Sequence, residues 1–161
     1  MATSSVDLWE VIAVEAAAES PLWGEALRAD PEREPVFSPL LADDRFAVGL
    51  ETIYEGYLLH FGRPRLFAPV DRDTALLLGD YLYAHGLVRV AAHDQVEAVA
   101  DLAELISVCA RLQADREEGD GEAWAATATW LGEGPLVSGR AATGPEVERA
   151  LALHRRRLGL S

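Results

Sequence analysis

Apolar residues recur along this chain at helical spacing, most densely between Glu51 and Leu87 (ETIYEGYLLHFGRPRLFAPVDRDTALLLGDYLYAHGL). Ile53, Tyr54, Tyr57 and Leu58, then Leu76, Leu77, Tyr81 and Ala84, each fall on one face of a helix, because residues three and four apart share one side of the spiral. A Gly-Arg-Pro turn joins the two patterns, and both helices belong in the core. The first helix of the pair extends from about Asp44 to His60 and the second from Thr74 to Leu87, capped by Asp71 or Asp73.

The same reading applies outward from this pair. Val6 to Ala18 carries Val6, Trp9, Ile12, Ala13 and Ala16 on one face behind Ser4 and Ser5, either of which caps a helix. Ser20-Pro21 starts a short helix ending near Arg28, and the proline-bounded DPEREP stretch (30–35) is a loop. Ser38-Pro39 opens a further segment. His93-Asp94 starts a long helix to about Arg116 whose apolar face, from Val96 and Val99 to Cys109 and Leu112, is wide enough to imply burial on two sides. Glu122 to Leu131 forms another helix. After the glycine-rich 132–144 stretch, Thr143 and Glu146 make a capping-box pattern around Pro145 for a last helix through Val147, Ala150, Leu151 and Leu158. The pattern predicts one all-α domain over residues 1–161 with about seven to nine helices.

Composition narrows the function classes. The chain has no lysine and a net charge of −13, which opposes binding to nucleic acid, anionic lipid or polyphosphate through a basic surface. No long uncharged stretch and no basic-then-apolar leader stand in the sequence, so a cytoplasmic protein without membrane insertion is expected. The lone Cys109 lies within a helical apolar pattern and reads as core packing in a reducing compartment.

Candidate chemistry is sparse. Asp43-Asp44 reads as a helix N-terminus. Glu51 and Glu55, four apart on one face, are a conceivable chelating pair, but solvated or singly paired carboxylates are the simpler expectation. Asp80, the one charge on its apolar run, is expected to be buried and to anchor a neighbouring helix end. His85-Gly86 reads as a helix end or small-residue crossing, with no second histidine at a ligand spacing, so zinc is not indicated. The acidic 115–122 run (DREEGDGE) lacks the alternation of a calcium loop and reads as a solvated connection. Arg155, Arg156 and Arg157 form a dense positive patch at a helix C-terminus, where it complements the dipole.

Several motifs together resemble the trans-isoprenyl diphosphate synthase (polyprenyl synthetase) family. Glu51, Tyr54 and His60 stand at the spacing of that family's Glu-x-x-His-x-x-x-x-x-His helix. Gly62, Arg63 and Pro64 match the segment after its first metal motif, and Leu77-Leu78-Gly79-Asp80-Tyr81-Leu82 matches its Leu-x-Gly-Asp-(Tyr/Phe)-Leu helix. Ala126-Thr127-Ala128 resembles its Lys-Thr-Ala without the lysine, and Leu158-Gly159-Leu160-Ser161 the Leu-Gly-x-(Ala/Ser) preceding its second metal motif. The first Asp-Asp-x-x-Asp motif is missing, since His60-Phe61 runs straight into Gly62, and the second does not stand in the sequence, which stops at Ser161.

The resemblance implies a bundle like the N-terminal two thirds of the isoprenoid synthase fold. It also implies that the magnesium held by active relatives has no ligands here, so no cofactor is expected. A departing diphosphate needs Lewis-acid metals for several kcal/mol of stabilisation, and each 1.36 kcal/mol is tenfold in rate. The expected role is therefore a non-catalytic partner or regulatory subunit of a full-length polyprenyl synthase, or a dimer with itself. The apolar faces of the Glu51–His60 and Asp94–Arg116 helices, too extensive for surface elements, motivate that partner. The alternatives are an isoprenoid or lipid binding protein with a cavity lined by Tyr57, Leu77 and Tyr81, and a weak prenyltransferase working through Glu51, Glu55 and Asp80.

Overall fold

A computed structural model describes residues 7–160. Among them the protein is all-α: α1 (Leu8–Glu19), α2 (Pro21–Glu25), α3 (Ala47–Phe61), α4 (Arg72–Ala91), α5 (Val96–Ala114), α6 (Asp120–Thr129), α7 (Pro135–Ser138) and α8 (Pro145–Arg157), with 3-10 turns at Ser38–Leu40 and Asp44–Phe46. Within the described residues no helix is long and apolar enough to cross a membrane.

Helix α3 is the centre. Every residue from Gly49 to Leu59 is buried, with α1 and α4 on one side and α5, α6 and α8 reaching the other through the Phe37, Trp124 and Leu105 cluster. Its all-round apolar character is thus met within one chain, which removes that part of the motive for a partner.

Helices α3 and α4 lie antiparallel and unusually close, and four glycines explain it. Gly49 faces Gly86 and Gly56 faces Gly79. A Cβ on Gly56 would stand 2.8 Å from the Gly79 carbonyl, and one on Gly86 would stand 2.9 Å from that of Gly49. Gly49 and Gly56 on α3, and Gly79 and Gly86 on α4, are each seven residues apart, so all four face the same seam. The Gly86 position is therefore a crossing point, and α4 continues past the expected end at Leu87 to Ala91.

Several boundaries depart from the sequence reading. The cap of α1 is Asp7, whose carboxylate accepts from the Trp9 N–H at 3.0 Å; Ser4 and Ser5 lie outside the described residues. Ser20 caps α2 as expected, but α2 stops at Glu25 because the chain beyond it pairs with the segment after α3. The Arg28 N–H donates to the Leu66 carbonyl (2.8 Å) and the Ala68 N–H to that of Ala26 (2.7 Å), around an isolated Leu27–Phe67 bridge. Asp43 caps the Asp44–Phe46 turn, and Asp71 caps α4 through the Thr74 N–H. The Thr143–Glu146 capping box does not form, since the N-cap of α8 is Gly144 without a side-chain cap.

Candidate functional site

The residues singled out from sequence fall in three separate places. The first is the inside of the molecule beneath α1. Glu51 and Glu55 are fully buried and both grip Arg65, itself fully buried. This overturns the expectation of solvated or singly paired carboxylates. Glu55 accepts from the Arg65 and Leu66 backbone N–H groups (2.8 and 2.7 Å) and from Arg65 Nε (3.0 Å), tying the loop after α3 to the middle of that helix. Arg65 donates to Glu51 through Nη1, which also donates to the Glu34 carbonyl at 2.8 Å. Its guanidinium lies 4.6 Å from the Trp9 ring and 5.0 Å from that of Tyr54. A pair of buried carboxylates without a cation would be prohibitive, so the site is built around the arginine.

The second place is the α3–α4 seam and its flanks. Gly79 leaves room for the ring of His60, whose Nε2 is 3.1 Å from Asp80 and whose ring stacks on Tyr83 at 5.2 Å. Asp80 is two-thirds exposed; it faces solvent beside His60 and does not anchor a buried helix end. The sequence reading erred because it counted the apolar residues around Asp80 without phasing it against the glycine seam. Gly62 closes α3, where a Cβ would meet the Arg157 carbonyl at 2.7 Å. Next to it Arg63 is exposed, its backbone N–H donating to that same carbonyl, and the Pro64 carbonyl accepts from Arg28. Tyr81 is half-buried between Trp23 and His85 (ring centroids 6.0 and 5.4 Å). Leu77 is 58 % exposed on the outside of α4 while Tyr57 is enclosed at 1 %, so Tyr57, Leu77 and Tyr81 do not line one cavity.

The third place centres on a residue that sequence reasoning passed over. Asp120 opens α6 directly after its N-cap Gly119, whose φ of +119° turns the chain into that helix through a backbone region that glycine alone enters freely. Its Oδ2 accepts from Tyr57 Oη on α3 (2.7 Å) and from His154 Nε2 on α8 (2.9 Å). Gln113 Nε2 at the end of α5 donates to Tyr57 Oη at 2.9 Å and lies 3.5 Å from Oδ2. A carboxylate only accepts, so His154 Nε2 is the donor to Asp120, and Nδ1 on the other side of the ring pairs with Tyr54 Oη at 2.7 Å. Phe37 and Trp124 pack this network from the inside. Thr127, one helical stretch further along α6, is buried with no hydrogen-bond partner on its hydroxyl.

Electrostatics favour one ionised group here. Burial raises the Asp120 carboxyl, but the hydrogen bonds from His154 and Tyr57 outweigh it and hold it below its ordinary 3.8. Burial pushes both tyrosine hydroxyls far up, so they stay protonated, and it pushes the Cys109 thiol up as well, which leaves it a poor nucleophile. A folded carboxyl held below its unfolded value contributes stability that is complete above about pH 4 and is lost as pH falls through the lower folded value. The melting-temperature difference between the native protein and Asp120→Asn is therefore expected to shrink as pH drops below 3.8; an acid titration of both proteins with a constant difference would contradict the assignment.

On the solvent side of Asp120 lies a cavity of about 370 Å³ between the ends of α3, α5 and α8 and the start of α6. Phe61, Leu151, Leu158 and Leu160 give it an apolar wall, and Asp120, His154 and Gln113 a polar floor. His154 was legible in principle as the polar member of the face formed by the buried Val147 and Ala150 and the half-buried Leu151 and Leu158 along α8 and its C-cap. Asp120 was hidden in an acidic run with no periodic signal. The Arg155–Arg157 patch is also not one unit: Arg157 turns inward to Glu32 (2.6 Å) and Glu34 (3.3 Å). Among the described residues no group of three or more histidine, cysteine, aspartate or glutamate side chains is placed to hold a metal ion. Comparison with protein-family models, with curated proteins and with solved structures finds no match to this chain.

Proposed function

We propose that the chain is a non-catalytic, polyprenyl-synthetase-like subunit that docks on a full-length isoprenyl diphosphate synthase through the outer faces of α4 and α1. The observation that carries this reading is an outward apolar stripe on α4. Leu77 (58 % exposed), Ala84 and Val88 (66 % exposed) lie on one line of the helix. Beside it runs α1, joined to α4 where Glu15 pairs with His85 and Arg89, and α1 carries the exposed Val14. An apolar stripe shared by two adjacent helices is what a helix-on-helix interface requires. The non-catalytic half of the reading draws on Glu51 and Glu55, both engaged by Arg65 and sealed from solvent. The net charge of −13 opposes self-association, which favours the synthase over a second copy of this chain.

Affinity purification of the tagged protein from its own cells, followed by sizing, tests the proposal. A synthase-containing complex is expected. The exposed double substitution Leu77→Arg/Val88→Glu is expected to weaken it by about tenfold or more, since each side chain contributes about 1 to 2 kcal/mol when covered, with the melting temperature unchanged. A monomer without a synthase, or a complex indifferent to both changes, refutes the docking face.

A further inference from the structure

We infer that the cavity beside Asp120 is a binding site for a small amphiphilic amine, its ammonium on the Asp120 carboxylate and its short alkyl body against Phe61, Leu151, Leu158 and Leu160. Nothing in the partner-subunit reading requires this site, and it stands or falls separately.

The size is suitable, because 370 Å³ falls in the usual range of small-molecule pockets, about 300 to 1,000 Å³. The sign of the ligand follows from what surrounds it. Glu117, Glu118, Asp120 and Glu122 line the cavity against Arg116 and Arg155, four carboxylates to two guanidinium groups. The start of α6 also opens here, and its N-cap Gly119 supplies no side-chain cap. A helix N-terminus alone would invite an anion. It is equivalent to only about half a positive charge, however, which does not offset the excess of carboxylates within a chain of net charge −13. A cation is therefore favoured over a phosphate or a carboxylate.

The floor is preorganised for such a group. Tyr57, His154 and Gln113 all approach Oδ2 of Asp120, so the carboxylate is fixed by contacts from three other helices. The Gly121 backbone N–H adds a further donor to the carboxylate, and the three side chains leave Oδ1 to the ligand. An N–H donor carrying a full charge makes the stronger, shorter bond to such an acceptor. The apolar wall distinguishes the ligand from an inorganic cation: four carbon-rich side chains offer nothing to a hydrated ion and a matching surface to an alkyl chain.

The test is isothermal titration of the full chain with n-hexylammonium chloride, n-hexanol and sodium hexanoate at low ionic strength, with amide chemical shifts to locate the site. Saturable binding of hexylammonium is expected, with shifts at residues 117–122 and 151–160. Hexanol is expected to bind about tenfold more weakly, as is hexylammonium to Asp120→Asn, since a hydrogen bond to a charged group is at stake. Hexanoate is not expected to bind. Equal affinity for hexanol and hexylammonium, preference for hexanoate, or shifts centred on the second acidic hollow at Glu10, Val11, Val14 and Glu15 would each overturn the assignment. If Asp120→Asn fails to fold, the exposed pair Glu118→Gln/Glu122→Gln replaces it. Affinity is then expected to fall about threefold at low salt, and an unchanged value counts against the proposal.

Discussion

Replacing Arg65 by Met is expected to destabilise the protein by about 3 to 5 kcal/mol, the range seen when one partner of a buried ion pair is removed. Arg65 is fully enclosed and is the cation that both Glu51 and Glu55 face. It also donates to the backbone carbonyls of Glu34 and Glu51. Its loss leaves two carboxylates and two carbonyls in a dry core without their donor. At about 2 to 4 °C per kcal/mol for a chain of this size, the melting temperature should fall by about 6 to 20 °C. Arg65→Lys is expected to rescue little, because an ammonium cannot span both carboxylates with a planar fork. Glu51→Gln should behave differently. Two carboxylates against one guanidinium leave an excess negative charge, and Glu51 Oε1 has no hydrogen-bond partner, so neutralising this residue removes a desolvated charge along with the ion pair. Its cost is expected to stay within about 1 kcal/mol. Thermal melts of the three variants decide the matter; an Arg65→Met protein within 1 kcal/mol of the native one would contradict this account of the core.

Gly56→Ala and Gly86→Ala should each cost about 1 to 3 kcal/mol, the usual penalty for overpacking. Helix propensity alone predicts the reverse, a gain of about 1 kcal/mol on replacing a helical glycine with alanine. The contacts decide which term wins. A methyl at either position would stand under 3.0 Å from a backbone carbonyl of the facing helix, and at Gly86 also 2.5 Å from Ile53 Cγ1. A carbonyl cannot rotate away as a side chain does, so α3 and α4 must separate along their length. Gly24 provides the contrast, because a Cβ there meets only Ala17 at an ordinary 3.5 Å. Gly24→Ala is expected to be neutral or stabilising by up to about 1 kcal/mol. Equal effects at Gly24, Gly56 and Gly86 in urea titrations would show that the seam is not packed as described.

Much of the fold was legible because helices with continuous apolar faces announce themselves through spacing. The α3 pattern, the Ser20-Pro21 start, the Asp71 cap and the burial of Cys109 all rest on such local chemistry. The α4 face of Leu76, Leu77, Tyr81 and Ala84 expected in the core is instead half-buried or exposed, because α4 turns Ala75, Leu78, Gly79, Leu82, Gly86 and Val90 inward. What periodicity could not supply was pairing across the chain. Nothing near Glu51 or Glu55 in sequence identifies Arg65 as their shared partner, since it stands beyond a helix end and a proline. The same holds for Asp80, whose exposure depends on which side of α4 the glycines occupy. The Asp120 network is the extreme case. It unites residues from α3, α5, α6 and α8, and each alone reads as an ordinary polar residue at a helix end or on a helix face.

The clasp that holds α8 has a kinetic corollary. Helices α3 and α4 are joined by the short 62–71 connection, and their glycine seam forms between neighbours in sequence. The contact of Arg157 with Glu34, by contrast, closes across 123 residues. Loops that long form late, whereas local helical pairs form early. The α3–α4 hairpin is then expected to be the first stable unit and α8 the last to dock. In the native state the reverse order is expected, with α8 the first segment to release in sub-global opening. Amide exchange should accordingly be slowest along α3 and markedly faster along α8, so that the wall of the Asp120 cavity detaches while the hairpin stays folded.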